Sequence, residues 1–212
     1  MTILPLFSVL AVQGASPLCA AFLDEALSSS DYIINFKVYF VNIFLMNLSK
    51  KVAKTNTEFF IWPETALSQQ GDFDEETFRN TNTYQEILRF LDQYKNGNVL
   101  SGIESYSLYN DQRTPSAREV APNIYQDNFN AATLIDYSSK LQFYHKSKLV
   151  PGVEQMPFGS AINFLKPLFK AFGGTTGGYG KQDKPSVFYS QSGIGVAPVI
   201  CYESIWGQYV TQ

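Results

Sequence analysis

Residues Val196–Gly207 read VAPVICYESIWG, and this stretch decides how the rest of the chain is interpreted. Its first five residues are apolar and uncharged, which predicts a short buried strand that ends directly before Cys201. Open α/β folds bind their ligands at the ends of strands, so a thiol at this point is placed to act as a nucleophile. A free cysteine is also commonly an inert, buried side chain. The choice between the two depends on what the other strand ends carry.

Two charged residues also follow strand-like runs. Glu64 comes after the predicted strand Phe59–Trp62 and Pro63, and Lys146 follows the second arm of a predicted hairpin. A cysteine attacks a carbonyl as the thiolate, and an unperturbed thiol has a pKa of about 8.5, so it needs help from a base or a cation. Glu64 could accept the thiol proton and Lys146 could stabilise the oxyanion. Together with Cys201 they predict acyl transfer through a thioester.

Three other residues compete for these roles. His145 could pair with Cys201 as in papain-like enzymes, but neighbouring residues on a strand point to opposite faces, so only one of His145 and Lys146 can face the cleft. Lys148 lies two residues beyond Lys146, and strand alternation alone does not separate these two lysines. The second cysteine, Cys19, lies in an uncharged run with no base near it in sequence.

Composition excludes several classes of protein. The chain has 212 residues, enough for one domain with a substantial core. Its 16 basic and 19 acidic residues give a net charge of -3, which disfavours nucleic-acid binding. A single histidine and two widely separated cysteines offer no pattern of metal ligands. The sequence therefore predicts neither a metal nor a cofactor.

The order of predicted elements is that of an α/β protein. Strands alternate with helices, which favours a layered sandwich. An apolar helix is predicted over Tyr32–Leu48, and because both of its faces are apolar we expect it to be buried or to face lipid. The other predictions are a first strand at Phe7–Gln13, a polar surface loop at Asp72–Thr83, a helix opened by a capping box of Thr83 and Glu86, a long exposed excursion at Tyr106–Pro122, and a hairpin of Ala131–Ile135 with Leu141–Tyr144.

Three motifs resemble those of one enzyme family. They are FIWPETA around Glu64, YHKSKLVPGVE around Lys146 and VICYES around Cys201. In this order they resemble the Glu, Lys and Cys set of the nitrilase (carbon-nitrogen hydrolase) superfamily, most closely its apolipoprotein N-acyltransferase branch. The resemblance implies a nitrilase-like αββα sandwich with Glu64 as general base, Lys146 as oxyanion stabiliser and Cys201 as the acylated nucleophile. It further implies Glu154 as a supporting carboxylate, with Tyr202 and Glu203 shaping the pocket.

The same resemblance implies substrates and a location. The acyl donor would be a membrane phospholipid, and the acceptor would be the N-terminal amine of a diacylglyceryl apolipoprotein, as in lipoprotein biosynthesis. The enzyme would lie at the bacterial inner (cytoplasmic) membrane, with its active site on the periplasmic side. The segments expected to contact lipid are Tyr32–Leu48 and the loop Pro157–Tyr179, in which aromatic side chains alternate with lysines.

The resemblance does not extend evenly along the chain. We expect residues 1–212 to form a partial carbon-nitrogen hydrolase domain, incomplete at its C-terminal end, in which residues 14–51 match the family poorly. Two alternatives remain open at this stage. A soluble nitrilase-type amidase would use the same three residues to hydrolyse a C-N bond, and an inactive truncated remnant would use none of them.

Overall fold

A computed structural model describes residues 2–5, 32–67, 72–138, 140–151, 154 and 178–211. The helices and strands in this part of the chain are β1 (Thr2–Pro5), α1 (Tyr32–Val52), β2 (Phe59–Ile61), β3 (Phe73–Asp74), a 3-10 helix (Phe78–Asn80), α2 (Asn82–Leu91), β4 (Asn98–Tyr109), β5 (Arg118–Ala121), β6 (Ile124–Ile135), β7 (Gln142–His145), β8 (Phe188–Tyr189), β9 (Gly195–Val199), a second 3-10 helix (Cys201–Ile205) and α3 (Gly207–Val210).

The described strands form two sheets. The smaller sheet has the order β1-β9-β8, with β1 parallel and β8 antiparallel to β9. The larger sheet has the order β2-β4-β6-β5, with β3 paired to β4 and β7 paired to β6. The central pair, β4 and β6, is a long antiparallel ladder that runs from Val99 opposite Ile135 to Tyr109 opposite Tyr125. This ladder positions the polar side chains that are described below.

The two sheets pack face to face through one apolar cluster. Side chains that alternate along a strand point to opposite faces, so Leu100 and its neighbour Val99 enter different cores. Leu100 lies between the sheets, where the larger sheet meets the smaller one. The buried members of this cluster are Leu100, Ala132, Leu134, Tyr144, Phe188, Val196 and Ile200.

Helices cover the opposite face of the larger sheet. Helix α2 buries Ile87, Phe90 and Leu91 against strand residues that include Val99, and Phe60 meets Phe90 with ring centroids 4.8 Å apart. Edge-to-face aromatic pairs of this kind add to the stabilisation that comes from apolar burial. The described layers are therefore helix, sheet and sheet. The predicted α/β class is confirmed, and the arrangement is consistent with a nitrilase-like fold.

Helix α1 confirms the helix predicted from Tyr32. It extends to Val52, and its last turn carries Lys50 and Lys51, which suit the negative end of the helix dipole. Leu45 and Met46 are buried in the core beside α2, whereas Phe44 is exposed. Among the described residues, no helix combines the length and the apolar character needed to cross a bilayer.

The polar stretch from Asp72 to Thr83 is not the surface loop that the sequence predicted. It contains β3 and a 3-10 helix, and Phe73 and Phe78 are buried in the helix-side core with their rings 4.9 Å apart. The helix cap is also different from the predicted one. Thr81, rather than Thr83, precedes α2, and its side chain accepts a hydrogen bond from the amide of Tyr84.

The prediction of a long exposed excursion at Tyr106–Pro122 is also wrong. Residues 106–109 extend β4, and Arg118–Ala121 forms β5, which pairs with β6. The hairpin of β6 and β7 is confirmed, with Ala131 opposite His145. The predicted strand Phe7–Gln13 lies outside the described residues, as does nearly all of the loop Pro157–Tyr179.

Candidate functional site

Glu64 is positioned by the chain that follows β2. The amide of Trp62 donates to Leu100 O at 2.8 Å, and the amide of Gly102 donates to Pro63 O at 3.1 Å, so this segment stays beside β4 beyond the end of the strand. Gly102 permits this approach because it has no side chain: a Cβ there would lie 2.5 Å from Glu64 Cα. The next residue, Thr65, has a φ of 53°, a left-handed conformation that a β-branched residue rarely adopts.

Lys146 is held at the end of β7. Its amide donates to Asn130 O at 2.9 Å, and its side chain is fully buried. The Nζ atom lies 2.7 Å from Glu154 Oε1 and 3.5 Å from Glu64 Oε1. Burying a charge is costly unless it is paired and hydrogen bonded, and these two carboxylates supply both requirements. The ammonium is thus fixed in direction before any substrate binds.

Asn130 joins the same two carboxylate oxygens that Lys146 contacts. Its Nδ2 donates to Glu64 Oε1 at 2.7 Å and to Glu154 Oε1 at 2.9 Å, while its own Oδ1 is buried without a hydrogen-bond partner among the described residues. Sequence analysis missed this residue. The signal that could have found it is an amide directly before the mostly apolar run of residues 131–135, because a buried amide needs polar partners.

Glu154 is anchored by the backbone as well. Its Oε2 accepts a hydrogen bond from the amide of Val150 at 2.7 Å, and the carboxylate is buried. One oxygen therefore faces Lys146 while the other closes the turn that follows it. This arrangement holds the carboxylate against the ammonium.

Further carboxyl groups lie close to this cluster. Burial raises the pKa of Glu104, and the nearby charges of Asp72 and Glu64 raise it further. Burial also raises the pKa of Asp72, against the lowering effect of its hydrogen bond from Asn128. Tyr179 has a pKa raised to about 12, first by burial and then by the charges of Glu104, Asp72 and Glu154. The surroundings of the cluster are therefore acidic.

Cys201 begins the turn that follows β9. It is a free thiol, half-buried, and its φ of 47° lies in the left-handed region. A non-glycine residue in this conformation costs on the order of 1 kcal/mol or more and persists only where its surroundings enforce it. Such strain is typical of functional turns, because it projects a side chain out of the path of the strand.

Glu203 enforces that turn. The carboxylate is fully buried and accepts hydrogen bonds from the amides of Ile200 at 2.8 Å and Ser147 at 2.6 Å, and from Tyr144 Oη at 2.6 Å. The amide of Lys148 lies 3.3 Å from Glu203 Oε1, the oxygen that also accepts from Ser147 and Tyr144. Two of these donors lie immediately after Lys146. Glu203 therefore ties the cysteine turn to the segment that carries the buried lysine.

Two tyrosines complete this network. The hydroxyls of Tyr144 and Tyr209 lie 2.7 Å apart, and Tyr209 Oη donates to Ser147 Oγ. Burial raises the pKa of Tyr144, and the charge of Glu203 raises it further. Burial likewise raises the pKa of Tyr209. Both phenols thus stay protonated and remain available as donors.

The structure separates Lys146 from its two sequence competitors. His145 Nε2 lies 2.7 Å from Glu75 Oε1, and the histidine ring stacks on Phe129 at 3.7 Å. Lys148 places its Nζ over aromatic rings, 5.1 Å from the centroid of Tyr209. Of the three side chains, Lys146 is the one that the structure pairs with Glu64 and Glu154. Strand alternation failed to separate the lysines because β7 ends at His145.

The six residues singled out from the sequence thus form two groups. Glu64, Lys146 and Glu154 make one hydrogen-bonded cluster. Cys201, Tyr202 and Glu203 lie on a single 3-10 turn, with the half-buried Tyr202 in edge contact with Trp206. The two groups are connected through the hydrogen bonds between Glu203 and the backbone of residues 147 and 148.

Comparison with characterised proteins finds a distant relationship. No model of a known protein family matches the chain. The chain is similar to the apolipoprotein N-acyltransferase of Rickettsia prowazekii (strain Madrid E), with 27% identity over 166 residues. The match covers 78% of this chain and 28% of that protein, so the chain spans less than a third of its relative's length.

Proposed function

We propose that this chain carries the catalytic site of an N-acyltransferase that acts through a thioester on Cys201. The observation that carries this proposal is the buried Lys146 ammonium, fixed 2.7 Å from Glu154 and 3.5 Å from Glu64. The distant similarity to an apolipoprotein N-acyltransferase supports the same reaction class. In this proposal the donor is a phospholipid and the acceptor is the N-terminal amine of a diacylglyceryl apolipoprotein.

The first half of the reaction forms the thioester. Glu64 accepts the thiol proton of Cys201, and the thiolate adds to the ester carbonyl of the donor. Lys146 stabilises the oxyanion of the tetrahedral intermediate. The intermediate collapses, the ester C–O bond breaks, and the lysophospholipid alkoxide leaves with the proton returned from Glu64. The acyl group remains on sulfur.

The second half transfers the acyl group to nitrogen. The neutral amine of the acceptor adds to the thioester carbonyl, and Glu64 takes the proton that the nitrogen loses. Lys146 again stabilises the oxyanion, the C–S bond breaks, and the Cys201 thiolate recovers its proton from Glu64. The product is an amide, and no group beyond donor and acceptor is consumed.

The remaining residues position these three. Glu154 holds the Lys146 ammonium in direction and shares Asn130 with Glu64. Glu203 fixes the turn that carries Cys201, and Tyr202 shapes the pocket beside the thiol. The Lys146 ammonium, held in this way, is a preorganised donor that stabilises the transition state without reorganisation at the moment of reaction. The proposed location is the inner membrane of a bacterium, with the site facing the periplasm.

The experiment that tests the proposal maps the covalent intermediate. The chain is incubated with vesicles that contain an acyl-labelled phospholipid, and the thioester is located by mass spectrometry. We expect the label on Cys201, its loss in Cys201→Ala and its retention in the matched variant Cys19→Ala. A label on Cys19, or a label retained in Cys201→Ala, would overturn the assignment.

A parallel assay separates the other two functions. The chain is given a small primary amide, and ammonia release is measured. Ammonia released through Cys201, with no label taken from phospholipid, would identify a nitrilase-type amidase that uses the same three residues. A chain that shows neither product and no cooperative thermal transition would be an inactive remnant, because its site is not assembled.

A further inference from the structure

An exposed apolar surface lies directly beside the cysteine turn. The 3-10 helix that begins at Cys201 ends at Ile205, which is 68% exposed, and is followed by Trp206, which is 47% exposed. Tyr202 contacts the Trp206 ring, with centroids 6.1 Å apart. Large apolar side chains left in contact with water next to a site commonly mark an interaction surface.

A cation borders the same surface. Lys148 Nζ lies 5.8 Å from the ring centroid of Trp206 and 5.1 Å from that of Tyr209. Within the part of the chain that the structure describes, this ammonium makes no ion pair with a carboxylate, unlike the buried Lys146. Its backbone amide is directed toward Glu203, so the residue is tied to the cysteine turn. The Lys148 ammonium is thus held over the two aromatic rings, and within the described residues it stays available to an anion.

The combination has a specific chemical complement. An indole ring, an aliphatic side chain and a lysine are the groups that settle at the boundary between lipid headgroups and acyl chains. The cation suits a phosphate, and the apolar pair suits the first methylenes of an acyl chain. We propose that Lys148, Ile205 and Trp206, here called the tryptophan surface, bind an anionic phospholipid beside Cys201. This inference rests on the proposed function, in which a phospholipid is the acyl donor.

The two tryptophans make the contact measurable. Trp62 is 1% exposed in the core, whereas Trp206 lies on the proposed surface. The chain is titrated with phosphatidylglycerol vesicles whose acyl chains carry bromine, which quenches nearby indole fluorescence. We expect quenching of the Trp206 emission, and no quenching in Trp206→Phe, in which Trp62 is the remaining fluorophore. Equal quenching in Trp206→Phe would overturn the proposal.

Matched variants test the cation and the aliphatic side chain. One lysine near an anionic membrane surface contributes about 1 kcal/mol, so Lys148→Gln should weaken binding to phosphatidylglycerol about fivefold. The control Lys95→Gln removes an exposed lysine that follows α2, on the helix side of the larger sheet. Ile205→Ser should weaken binding, and Val120→Ser, at a position on β5 that is 55% exposed, should not. Equal losses in a variant and its control would overturn the assignment.

The outcome is distinguishable from that of the acyl-transfer assay. Binding that depends on Lys148 and Trp206 without thioester formation would refute the proposed reaction and keep the lipid surface. Thioester formation that is unchanged in Lys148→Gln and Ile205→Ser, with vesicle binding also unchanged, would refute the lipid surface and keep the reaction. Equal affinity for phosphatidylglycerol and phosphatidylcholine would overturn the preference for an anionic phospholipid.

Discussion

The Cα atom of Glu64 lies so close to Gly102 that a Cβ at position 102 would come within 2.5 Å of it. The same Cβ would meet Thr65 N at 2.6 Å and Pro63 O at 2.7 Å. All three contacts are to backbone atoms, which cannot rotate away as a long side chain could. The absence of a side chain on one strand therefore sets the position of the carboxylate beside it.

Gly102→Ala should consequently displace Glu64. We expect the free energy of unfolding to fall by about 1–3 kcal/mol, as in other overpacked sites. Thioester formation should slow by up to about 100-fold, because small misplacements of catalytic groups are costly. The control is Gly207→Ala, where an added Cβ meets nothing within 4 Å. Urea denaturation and labelling of Cys201 check both effects, and a Gly102→Ala protein that matches the parent in both would contradict this account.

Lys146→Met should destabilise the fold as well as abolish labelling. Removing the ammonium leaves Glu64 and Glu154 facing each other around Asn130 with no cation between them. Breaking a buried ion pair by removal of one partner costs about 3–5 kcal/mol. Exposed lysines contribute far less, so Lys140→Met should change the free energy of unfolding by less than about 0.5 kcal/mol. Equal effects in the two variants would show that the buried pair is not what stabilises this region.

Glu203→Gln should loosen the cysteine turn. The carboxylate accepts hydrogen bonds with both oxygens, and a glutamine would turn an NH2 group toward one of the amide donors. An unsatisfied buried donor costs about 1–3 kcal/mol. We expect a loss of stability in that range together with slower labelling of Cys201. Glu76→Gln, at an exposed position, serves as the control. A stable Glu203→Gln protein with unchanged labelling would argue against a positioning role.

The stability of the chain should depend on Glu104 in a pH-dependent way. Burial, Asp72 and Glu64 raise its pKa above the ordinary 4.5, so the folded state holds this proton more tightly than the unfolded state. Its contribution is fully present below pH 4.5 and is lost as the pH rises through the raised pKa. Glu104→Gln should therefore gain stability relative to the parent between about pH 4 and about pH 7. Urea denaturation at both pH values tests this, and a constant difference would refute it.

The elements that could be predicted are those marked by residues close together in the sequence. The strand that ends before Glu64 and the hairpin that leads to Lys146 could be predicted because apolar runs and turn residues are local signals. The core side chains Phe73 and Phe78 were missed because they stand alone among polar neighbours, and neither belongs to a periodic run. Thr81 was missed as the cap of α2 because Thr83, two residues later, is followed at the capping-box distance by Glu86, whereas Thr81 is followed at that distance by Tyr84.

The contacts around Glu64 could not be predicted in the same way. That Gly102 lies under Glu64 depends on the register of β4 beside the end of β2. That Asn130 reaches both Glu64 and Glu154 depends on the pairing of β4 with β6 and on the turn that follows Lys146. Register is set by the packing of whole sheets, so the spacing of residues along the chain does not reveal it.

The hydrogen bond between Tyr144 and Glu203 joins residues that are 59 positions apart in the sequence. The ion pair of Glu64 and Lys146 joins residues that are 82 positions apart. Closing loops of this length costs entropy that is recovered only when the sheets between them have formed. The thiol turn and the lysine cluster therefore cannot assemble as a local unit ahead of the rest of the chain. The amides of Ser147 and Ile200, which both donate to Glu203, should exchange their hydrogens through global unfolding, with a free energy of exchange equal to that of unfolding.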